Sequence, residues 1–337
     1  MARKLLSIGT DRLLFKEGSA VRERFKEYAK KWDEIHVVVA TSGRGYTETS
    51  IAPNVWIYPT RSKLKALYPL DAARLGRFII PRRGITNITC QDPFLTAVAG
   101  TRLQREFKLP LELQLHTDIG APNYPYTVGN KIRKSLALSY LPKADHIRVV
   151  AQRIKTYLTD KLGISAEKIE VRPIAVDVSH IKSSPIDPAA NLHTKYPQFK
   201  KIALVASRLE PEKNVALAID AMHALVQKHP EIGLVICGTG GLTEQLQQRA
   251  IRGPAAAHIV FEPWARPSTL YSYYKTADVF LVTSLFEGYG MTLVEAAAAG
   301  TKIVSTDVGI AAEMGAVIAP WNTTGYARAI EQVLALS

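Results

Sequence analysis

Cysteine and long apolar runs are scarce in this 337-residue sequence, and both shortages exclude classes of protein. The two cysteines, Cys90 and Cys237, are too few for a disulfide framework, and no Cys/His cluster has zinc-site spacing. No apolar run reaches about 18 residues, so no transmembrane helix is expected. The short apolar stretch before Asp11 predicts a first strand rather than a signal peptide. We therefore predict a reduced, cytoplasmic protein.

Several catalytic motifs are also missing. The sequence has no Asp-x-Asp pair, which argues against a nucleotide-sugar site bridged by a divalent ion. It has no Gly-x4-Gly-Lys-Ser/Thr loop, which argues against a P-loop nucleotidase. It has no Gly-x-Ser-x-Gly elbow, which argues against an α/β-hydrolase. We predict neither a bound metal ion nor another cofactor.

Positive charge is concentrated in one half of the chain. The net charge is +13, and residues 1–177 hold 30 Lys and Arg against 17 Asp and Glu. Such a half can attract nucleic acid, anionic lipid or an acidic substrate, or simply keep the protein soluble. Residues 60–84 carry seven Lys or Arg against one acid, interleaved with apolar residues. They predict either docking on the anionic inner face of a membrane, as two amphipathic pieces split by Pro69, or a helix packed into the core.

Short apolar runs alternate with helical patterns in both halves of the chain. This rhythm predicts an α/β protein with two doubly wound, Rossmann-like domains facing a cleft. Proline, serine and the lack of periodicity between the halves predict a linker or a loop-rich junction. The predicted boundaries are residues 1–177 for the first domain, 178–200 for the linker, 201–320 for the second domain and 321–337 for a C-terminal helix.

The strongest site signal is a glycine-containing loop between a buried strand and a helix. The loop contains Glu287-Gly-Tyr-Gly290, and Glu295 lies eight residues after Glu287, about one turn into the helix. Such a loop offers backbone N–H groups and a helix N-terminus to an anion. Each glutamate alone is typical of a solvated carboxylate. Their pairing at the end of a buried strand favours a ligand site in the crevice of the sheet.

Two cations follow the first predicted strand of the second half. Arg208 and Lys213 lie on either side of Pro211, just before a helix. A guanidinium fork and an ammonium there can clamp a pyrophosphate, although an ordinary charged loop has the same composition. Further along, Gly238 begins an incomplete Gly-x-Gly-x-x-Gly fingerprint, with Thr243 in the last position. By itself it indicates only that a phosphate or nucleoside could approach the backbone.

The first half offers two weaker candidates. His116 ends a predicted strand, where it could bind a sugar hydroxyl or a developing charge, or hydrogen-bond within its own loop. Gly18 precedes Ser19 between the first strand and the first helix. This pair could bring backbone N–H groups to a phosphate, or Ser19 could simply cap the helix.

Together these motifs resemble the retaining glycosyltransferases of the GT-B fold, in the group called glycosyltransferase family 4 or glycosyl transferases group 1. The resemblance covers residues 201–320 and 86–177. Glu287 to Glu295 resembles the family's Glu-x7-Glu motif, and residues 207–213 are similar to its Gly-Arg-Leu-x-x-x-Lys clamp. His116 resembles the family's histidine at a strand end.

The resemblance implies a UDP- or GDP-activated sugar as donor, held by the second domain, and an unidentified hydroxyl acceptor such as a lipid-linked or polysaccharide precursor. Arg208 and Lys213 would neutralise the pyrophosphate, and Glu295 would bind the ribose. Glu287 would hold the sugar near the reacting carbon, and His116 would reach it from the first domain. Transfer would retain the anomeric configuration without a metal ion. Backbone N–H groups would help at Gly288, Tyr289, Gly290 and Met291.

Three departures from the family pattern limit this comparison. Gly18-Ser19 replaces Gly-Gly in the first loop, Ile174-Ala175 replaces Asn-Gly at the domain junction, and Glu-Pro-Trp stands at 262–264 where a glycine is common. Nucleobase contacts of the family are therefore not transferred to 262–264. The alternatives are another GT-B enzyme, such as a nucleotide-sugar epimerase, and a non-catalytic sugar or nucleic-acid binding module. No compact aromatic-and-basic RNA motif is present, so no nucleic-acid partner is expected.

Overall fold

The computed structural model describes residues 2–43 and 45–336, which form two compact units. The first unit runs to Gly120 and continues over Pro125–Arg172. The second unit contains Ala121–Tyr124 and the chain from Pro173 onward. The change of unit therefore lies five residues before the predicted boundary at 177.

The described part of the first unit contains an eight-stranded sheet. Its strands are β1 (Lys4–Gly9), β2 (Glu34–Val39), β3 (Thr49–Ala52), β4 (Val55–Pro59), β5 (Asn87–Cys90), β6 (Leu111–Leu115), β7 (His146–Val149) and β8 (Ile169–Val171). Their order is β3-β4-β2-β1-β5-β6-β7-β8, and all neighbours are parallel except β3 and β4. Buried Val and Ile residues fill β2, as expected for a strand covered on both faces.

The helices of the first unit lie between these strands. They are α1 (Ala20–Ala29), α2 (Tyr68–Arg83), α3 (Leu95–Phe107), α4 (Val128–Tyr140) and α5 (Gln152–Asp160). The prediction that Pro69 splits residues 60–84 into two pieces is wrong, because α2 is one continuous helix. Pro69 occupies its first turn, where the missing N–H has no helical partner to lose.

The second unit contains a six-stranded parallel sheet within the described residues. Its strands are β9 (Lys201–Ala206), β10 (Ile232–Cys237), β11 (Ile259–Glu262), β12 (Val279–Val282), β13 (Lys302–Ser305) and β14 (Val317–Ile318). The strand order is β11-β10-β9-β12-β13-β14. From the neighbouring parallel strands β9 and β12, the chain builds the sheet outward in opposite directions, so the sequence order of the strands reverses between them. Ligands of doubly wound sheets bind at such a switch point, beyond the carboxyl ends of the strands.

Seven α-helices belong to the described residues of the second unit. They are α6 (Val178–Ser183), α7 (Leu192–Lys195), α8 (Val215–Leu225), α9 (Thr243–Ile251), α10 (Pro267–Thr276), α11 (Met291–Ala299) and α12 (Thr323–Leu334). The expected C-terminal helix is α12, and its Tyr326 and Ile330 are fully buried in the core of this unit. The prediction of two α/β domains built on parallel sheets is confirmed.

Residues 178–200, predicted as a linker, are instead folded onto the second unit. They contain α6 and α7, and Ile181, Leu192 and Phe199 are buried. The backbone N–H of Leu192 donates to the Thr276 hydroxyl at 3.1 Å, which attaches this segment to α10. Burial of these apolar side chains explains why a proline- and serine-rich sequence is ordered here.

Candidate active site

A cavity of about 410 Å³ opens in the second unit at the switch point between β9 and β12. Its wall contains five residues that the sequence pointed to separately, namely Arg208, Lys213, Glu287, Met291 and Glu295. They come from the segments that follow β9 and β12, because parallel strands deliver their carboxyl ends to one edge of the sheet. The geometry thus collects both predicted motifs in one place.

Lys213 and Glu287 form an ion pair in this cavity. Lys213 Nζ lies 2.5 Å from Glu287 Oε1, although the residues are 74 positions apart. Ser284 Oγ donates to the same carboxylate oxygen at 2.7 Å. Both charged side chains are less than one-fifth exposed, so water screens the pair only weakly. The predicted catalytic carboxylate is therefore fixed by the predicted phosphate-binding lysine.

Two further hydrogen bonds join the turn before α8 to the loop after β12. The N–H of Leu285 donates to the carbonyl of Glu212 at 2.9 Å. The Thr283 hydroxyl donates to the carbonyl of Lys213 at 2.8 Å. The turn itself is a 3-10 helix over Pro211–Lys213 that ends at Asn214 with φ of 47°. These contacts make the cationic turn and the glutamate loop one connected structure.

The other side of the glutamate loop is also fixed. The carbonyl of Ser284 accepts hydrogen bonds from Thr306 Oγ1 at 2.7 Å and from Trp321 Nε1 at 3.0 Å. The carbonyl of Tyr289 accepts from the N–H of Ile310 at 3.0 Å. A site carried by a loop needs such support to hold its charges in place.

Arg208 differs from Lys213 in its exposure. Its side chain is 62% exposed, and its Nη2 lies 2.7 Å from Glu212 Oε1. Glu212 is only 19% exposed and does not line the cavity. Each cation of the cavity wall thus faces a carboxylate.

Glu295 also lies in the cavity wall, on α11. Tyr274 Oη donates to Glu295 Oε2 at 3.1 Å, and the tyrosine is fully buried. Burial raises the pKa of the Glu295 carboxyl above its usual value, although this hydrogen bond opposes the shift. A partner that donates to this carboxylate would favour its charged form.

The glycine-containing loop ends in the N-terminus of α11. Gly290 is the N-cap, with φ of 93°, and no side chain caps the helix. Met291 and Thr292 line the cavity, and no described residue accepts a hydrogen bond from their N–H groups. Gly288 and Tyr289 belong to the same loop but not to the cavity wall. The helix start therefore presents donors to the space beside Glu287.

Gly238 has a clear structural reason to be glycine. A Cβ there would lie 1.9 Å from the carbonyl oxygen of Ser207, and its φ is 150°. It lets the loop after β10 pass close to the loop after β9, and it does not line the cavity, although its neighbour Cys237 does. Its role in donor binding stays a prediction.

His116 and Gly18 lie in the first unit. His116 Nε2 is 3.1 Å from Gln114 Oε1. His116 is exposed to solvent, but nearby protein and the charges of Arg148 and Arg24 lower the pKa of its imidazole to about 4. The imidazole is therefore neutral at pH 7 and able to accept or donate a hydrogen bond. Gly18 has φ of 69° and precedes Ser19, whose hydroxyl caps α1; the phosphate contact of Gly18 stays a prediction.

Trp264 and Tyr271 also line the cavity, and the sequence did not assign them to the site. Trp264 is 61% exposed and follows β11 in the Glu-Pro-Trp segment. The Cys237 thiol donates to the carbonyl of Pro263 at 3.3 Å, which attaches this segment to the end of β10. An aromatic residue two positions after the end of a strand is a signal that could have identified Trp264.

No metal-binding cluster of three or more His, Cys, Asp or Glu side chains occurs in residues 2–43 and 45–336. Metal independence of the reaction stays a prediction.

Two family models match the sequence. Residues 20–180 match Glycosyltransferase Family 4, and residues 193–337 match Glycosyl transferases group 1. Alpha-monoglucosyldiacylglycerol synthase of Streptococcus pneumoniae is 25% identical over 65% of this chain and 51% of its own length. Phosphatidyl-myo-inositol mannosyltransferase of Mycobacterium tuberculosis is 34% identical over 47% of this chain and 39% of its own length. The match thus spans about half of the length of the first relative and less than half of the length of the second.

Solved structures support the fold assignment over nearly the whole chain. Sucrose-phosphate synthase from Thermosynechococcus elongatus has a TM-score of 0.77 at 16% identity, covering 99% of this chain and 90% of that one. Anabaena HepE in complex with UDP-glucose has a TM-score of 0.69 at 19% identity, covering 98% and 89%. The architecture is the GT-B fold. Since the two family models together match almost all of the sequence, the chain belongs to the family 4 glycosyltransferases, with a second half of the group 1 type.

Proposed function

We propose that the protein transfers a sugar from a nucleotide-sugar donor to a hydroxyl acceptor, with retention of anomeric configuration. The observation that carries this proposal is the cavity in which Arg208, Lys213, Glu287 and Glu295 meet beside the N-terminus of α11. Two cations and a helix start suit a diphosphate. Two carboxylates suit hydroxyl groups, which donate hydrogen bonds to them.

The donor would bind with its diphosphate toward Arg208, Lys213 and the N–H groups of Met291 and Thr292. Glu295 would accept hydrogen bonds from the ribose, which would satisfy its buried carboxylate. The complex of Anabaena HepE with UDP-glucose supports a UDP-sugar, and a GDP-sugar has the same diphosphate. Trp264 offers an exposed ring on which a nucleobase could stack.

In the reaction, the bond between the anomeric carbon and the diphosphate oxygen breaks, and a bond to the acceptor oxygen forms on the same face. The acceptor proton leaves with the departing diphosphate. The cations and the helix start stabilise the charge that develops on that leaving group. Glu287 holds the hydroxyls of the transferred sugar, and neutral His116 is proposed to contact the same sugar, as the family resemblance implies.

Relatives guide the acceptor proposal. The names of two of them refer to a diacylglycerol and to a phosphatidyl-inositol. We propose a lipid-linked or polysaccharide precursor with a free hydroxyl as the acceptor class for this chain.

Nucleotide release tests the donor proposal directly. We expect one UDP- or GDP-sugar to release its nucleoside diphosphate when acceptor fractions are added, with equal rates in EDTA and in magnesium. The rates should be equal because Arg208, Lys213 and the helix start supply the positive charge at the leaving group. NMR of the product should show the donor's anomeric configuration.

Each alternative predicts a different result. Turnover of the free nucleotide-sugar without an acceptor indicates an epimerase, and binding without turnover indicates a binding module. Loss of activity in EDTA with recovery in magnesium or manganese contradicts the metal-independent reaction. An inverted product contradicts retention.

We also propose that the first unit docks on an anionic membrane surface through α2 and the residues just before it. Leu64, Leu70 and Phe78 are at least half exposed, while Ile79 and Ile80 pack into the core. The exposed cations include Arg74 and Arg82, although Arg74 also contacts Asp71. Exposed apolar residues among cations suit the boundary between lipid head groups and acyl chains. No helix in residues 2–43 or 45–336 is long and apolar enough to cross a bilayer.

Vesicle co-sedimentation tests this docking. We expect binding to vesicles with anionic lipid, weaker binding at high salt, and no binding to neutral vesicles. Replacing Leu70 and Phe78 together by serine should reduce binding several-fold, because each side chain loses its burial in the interface. Ile251→Ser, at an exposed apolar residue of the second unit, is the matched control. Equal sedimentation with neutral and anionic vesicles, or no effect of the double change, would contradict the proposal.

A further inference from the structure

The carboxylate that faces Arg208 has no role in the proposed reaction so far. Arg208 and Glu212, four positions apart in the sequence, form an ion pair at 2.7 Å. The other cation, Lys213, faces Glu287, which the proposed reaction uses for the sugar. Glu212 is therefore a carboxylate close to the proposed diphosphate position, and the proposed reaction gives it no role.

The two members of this pair differ in how firmly they are held. Glu212 belongs to the 3-10 turn over Pro211–Lys213, and its carbonyl accepts the N–H of Leu285. Its side chain is 19% exposed, whereas that of Arg208 is 62% exposed. Glu212 is the anchored partner, and the long arginine side chain is the one that can change partners.

We propose that Glu212 lowers the affinity of the cavity for diphosphate ligands, by holding Arg208 until a diphosphate takes the guanidinium from it. The inference rests on the proposed function, since it assumes a nucleoside diphosphate group in this cavity. Exchange is feasible because an exposed ion pair is weak and its partners are readily replaced. A neutral nucleoside cannot compensate for the lost carboxylate, whereas a diphosphate offers more charge and a second acceptor oxygen.

A second consequence concerns repulsion. Glu212 precedes Lys213 in the same 3-10 turn, so it stays near the proposed diphosphate position after Arg208 changes partner, and like charges repel each other. Glu212 therefore lowers diphosphate affinity in two ways, by competing for Arg208 and by repelling the ligand. The affinity for a nucleoside without phosphate should not depend on it.

Isothermal titration with UDP, GDP, uridine and guanosine tests this assignment. Glu212→Gln keeps the side-chain length and the backbone contact to Leu285 but removes the charge. We expect the nucleoside diphosphate that binds wild type to bind the variant about three- to fivefold more tightly, the strength of a partly exposed ion pair. Nucleoside affinity should stay within about twofold. Glu244→Gln, an exposed residue in the first turn of α9, removes the same charge outside the cavity wall and should change neither affinity.

A double-mutant cycle separates this role from a structural one. In an Arg208→Gln background, Glu212→Gln should give a clearly smaller gain, because no guanidinium remains to be released. Unchanged or weaker diphosphate binding by Glu212→Gln and Glu212→Ala, with wild-type melting temperatures, would overturn the inference. If wild type binds neither UDP nor GDP, the proposed donor class itself is wrong, and this inference fails with it. Diphosphate binding by wild type and all variants alike would leave the donor proposal intact and reject only the role of Glu212.

Discussion

Glu287→Gln should reduce the turnover number about a hundredfold or more while the protein still folds and binds nucleotide. Losing one preorganised charged contact at the reacting group typically has an effect of this size. The carboxylate of Glu287 is positioned by Lys213 Nζ at 2.5 Å and Ser284 Oγ at 2.7 Å. Glutamine retains the shape and accepts the serine hydrogen bond, but it lacks the charge that orients the sugar hydroxyls. The measurement is nucleotide release at saturating donor, with UDP and GDP binding followed in parallel.

The control for this change is Glu244→Gln, which removes an equal charge at an exposed position outside the cavity wall. We expect wild-type turnover from the control and melting temperatures within a few degrees for both variants. Turnover of Glu287→Gln close to wild type would show that this carboxylate does not act on the sugar. Loss of both turnover and nucleotide binding would place its effect on the diphosphate instead.

Local sequence patterns predicted the alternation of strands and helices and the positions of the candidate site residues, because both depend on short-range information. Buried parallel strands are continuous apolar runs, and their carboxyl ends share one edge of the sheet. Arg208 after β9 and Glu287 after β12 could therefore be placed together without knowing any contact. The doubly wound order of the second sheet, with its switch between these two strands, confirms that reasoning.

The long-range contacts of the cavity could not be predicted in the same way. Lys213 and Glu287 are 74 positions apart, and the indole of Trp321 reaches the carbonyl of Ser284 across 37 positions. No local periodicity encodes such contacts, which depend on how the loops pack once the sheet has formed. The pattern indicated which residue types gather at the edge, and tertiary packing decides which of them are partners.

Composition was misleading for residues 178–200. Proline, serine and absent periodicity are typical of linkers. Here, Ile181 and Leu192 each bury one face of a very short helix against the second unit. Helices of four to six residues are too short to show a clear 3.6-residue period. The error at Pro69 has a different cause, because a proline breaks a helix in its interior but fits the first turn, and the sequence pattern did not show that α2 begins at Tyr68.

Lys213→Met should lower the ratio kcat/KM about a hundredfold, the largest effect expected from a single cation of the cavity. The ammonium serves two groups, since it contacts Glu287 and would contact the diphosphate of the donor. A charge-assisted hydrogen bond contributes about 1.5–3 kcal/mol, so UDP or GDP affinity should fall about tenfold or more. Nucleoside affinity should change little, because a nucleoside carries no phosphate for the lysine to bind. Methionine fills a similar volume without a charge, and the backbone carbonyl of residue 213 can still accept the Thr283 hydrogen bond.

Lys228→Met is the matched control, because Lys228 is exposed and lies outside the cavity wall. It should leave kcat/KM and nucleotide affinity at wild-type values. Lys213→Met should also melt a few degrees lower than the control, since Glu287 loses the partner of a mostly buried ion pair. Binding of UDP or GDP at wild-type strength by Lys213→Met would show that the diphosphate does not reach this lysine. Equal losses for the nucleoside and the diphosphate would show that the change had distorted the cavity as a whole.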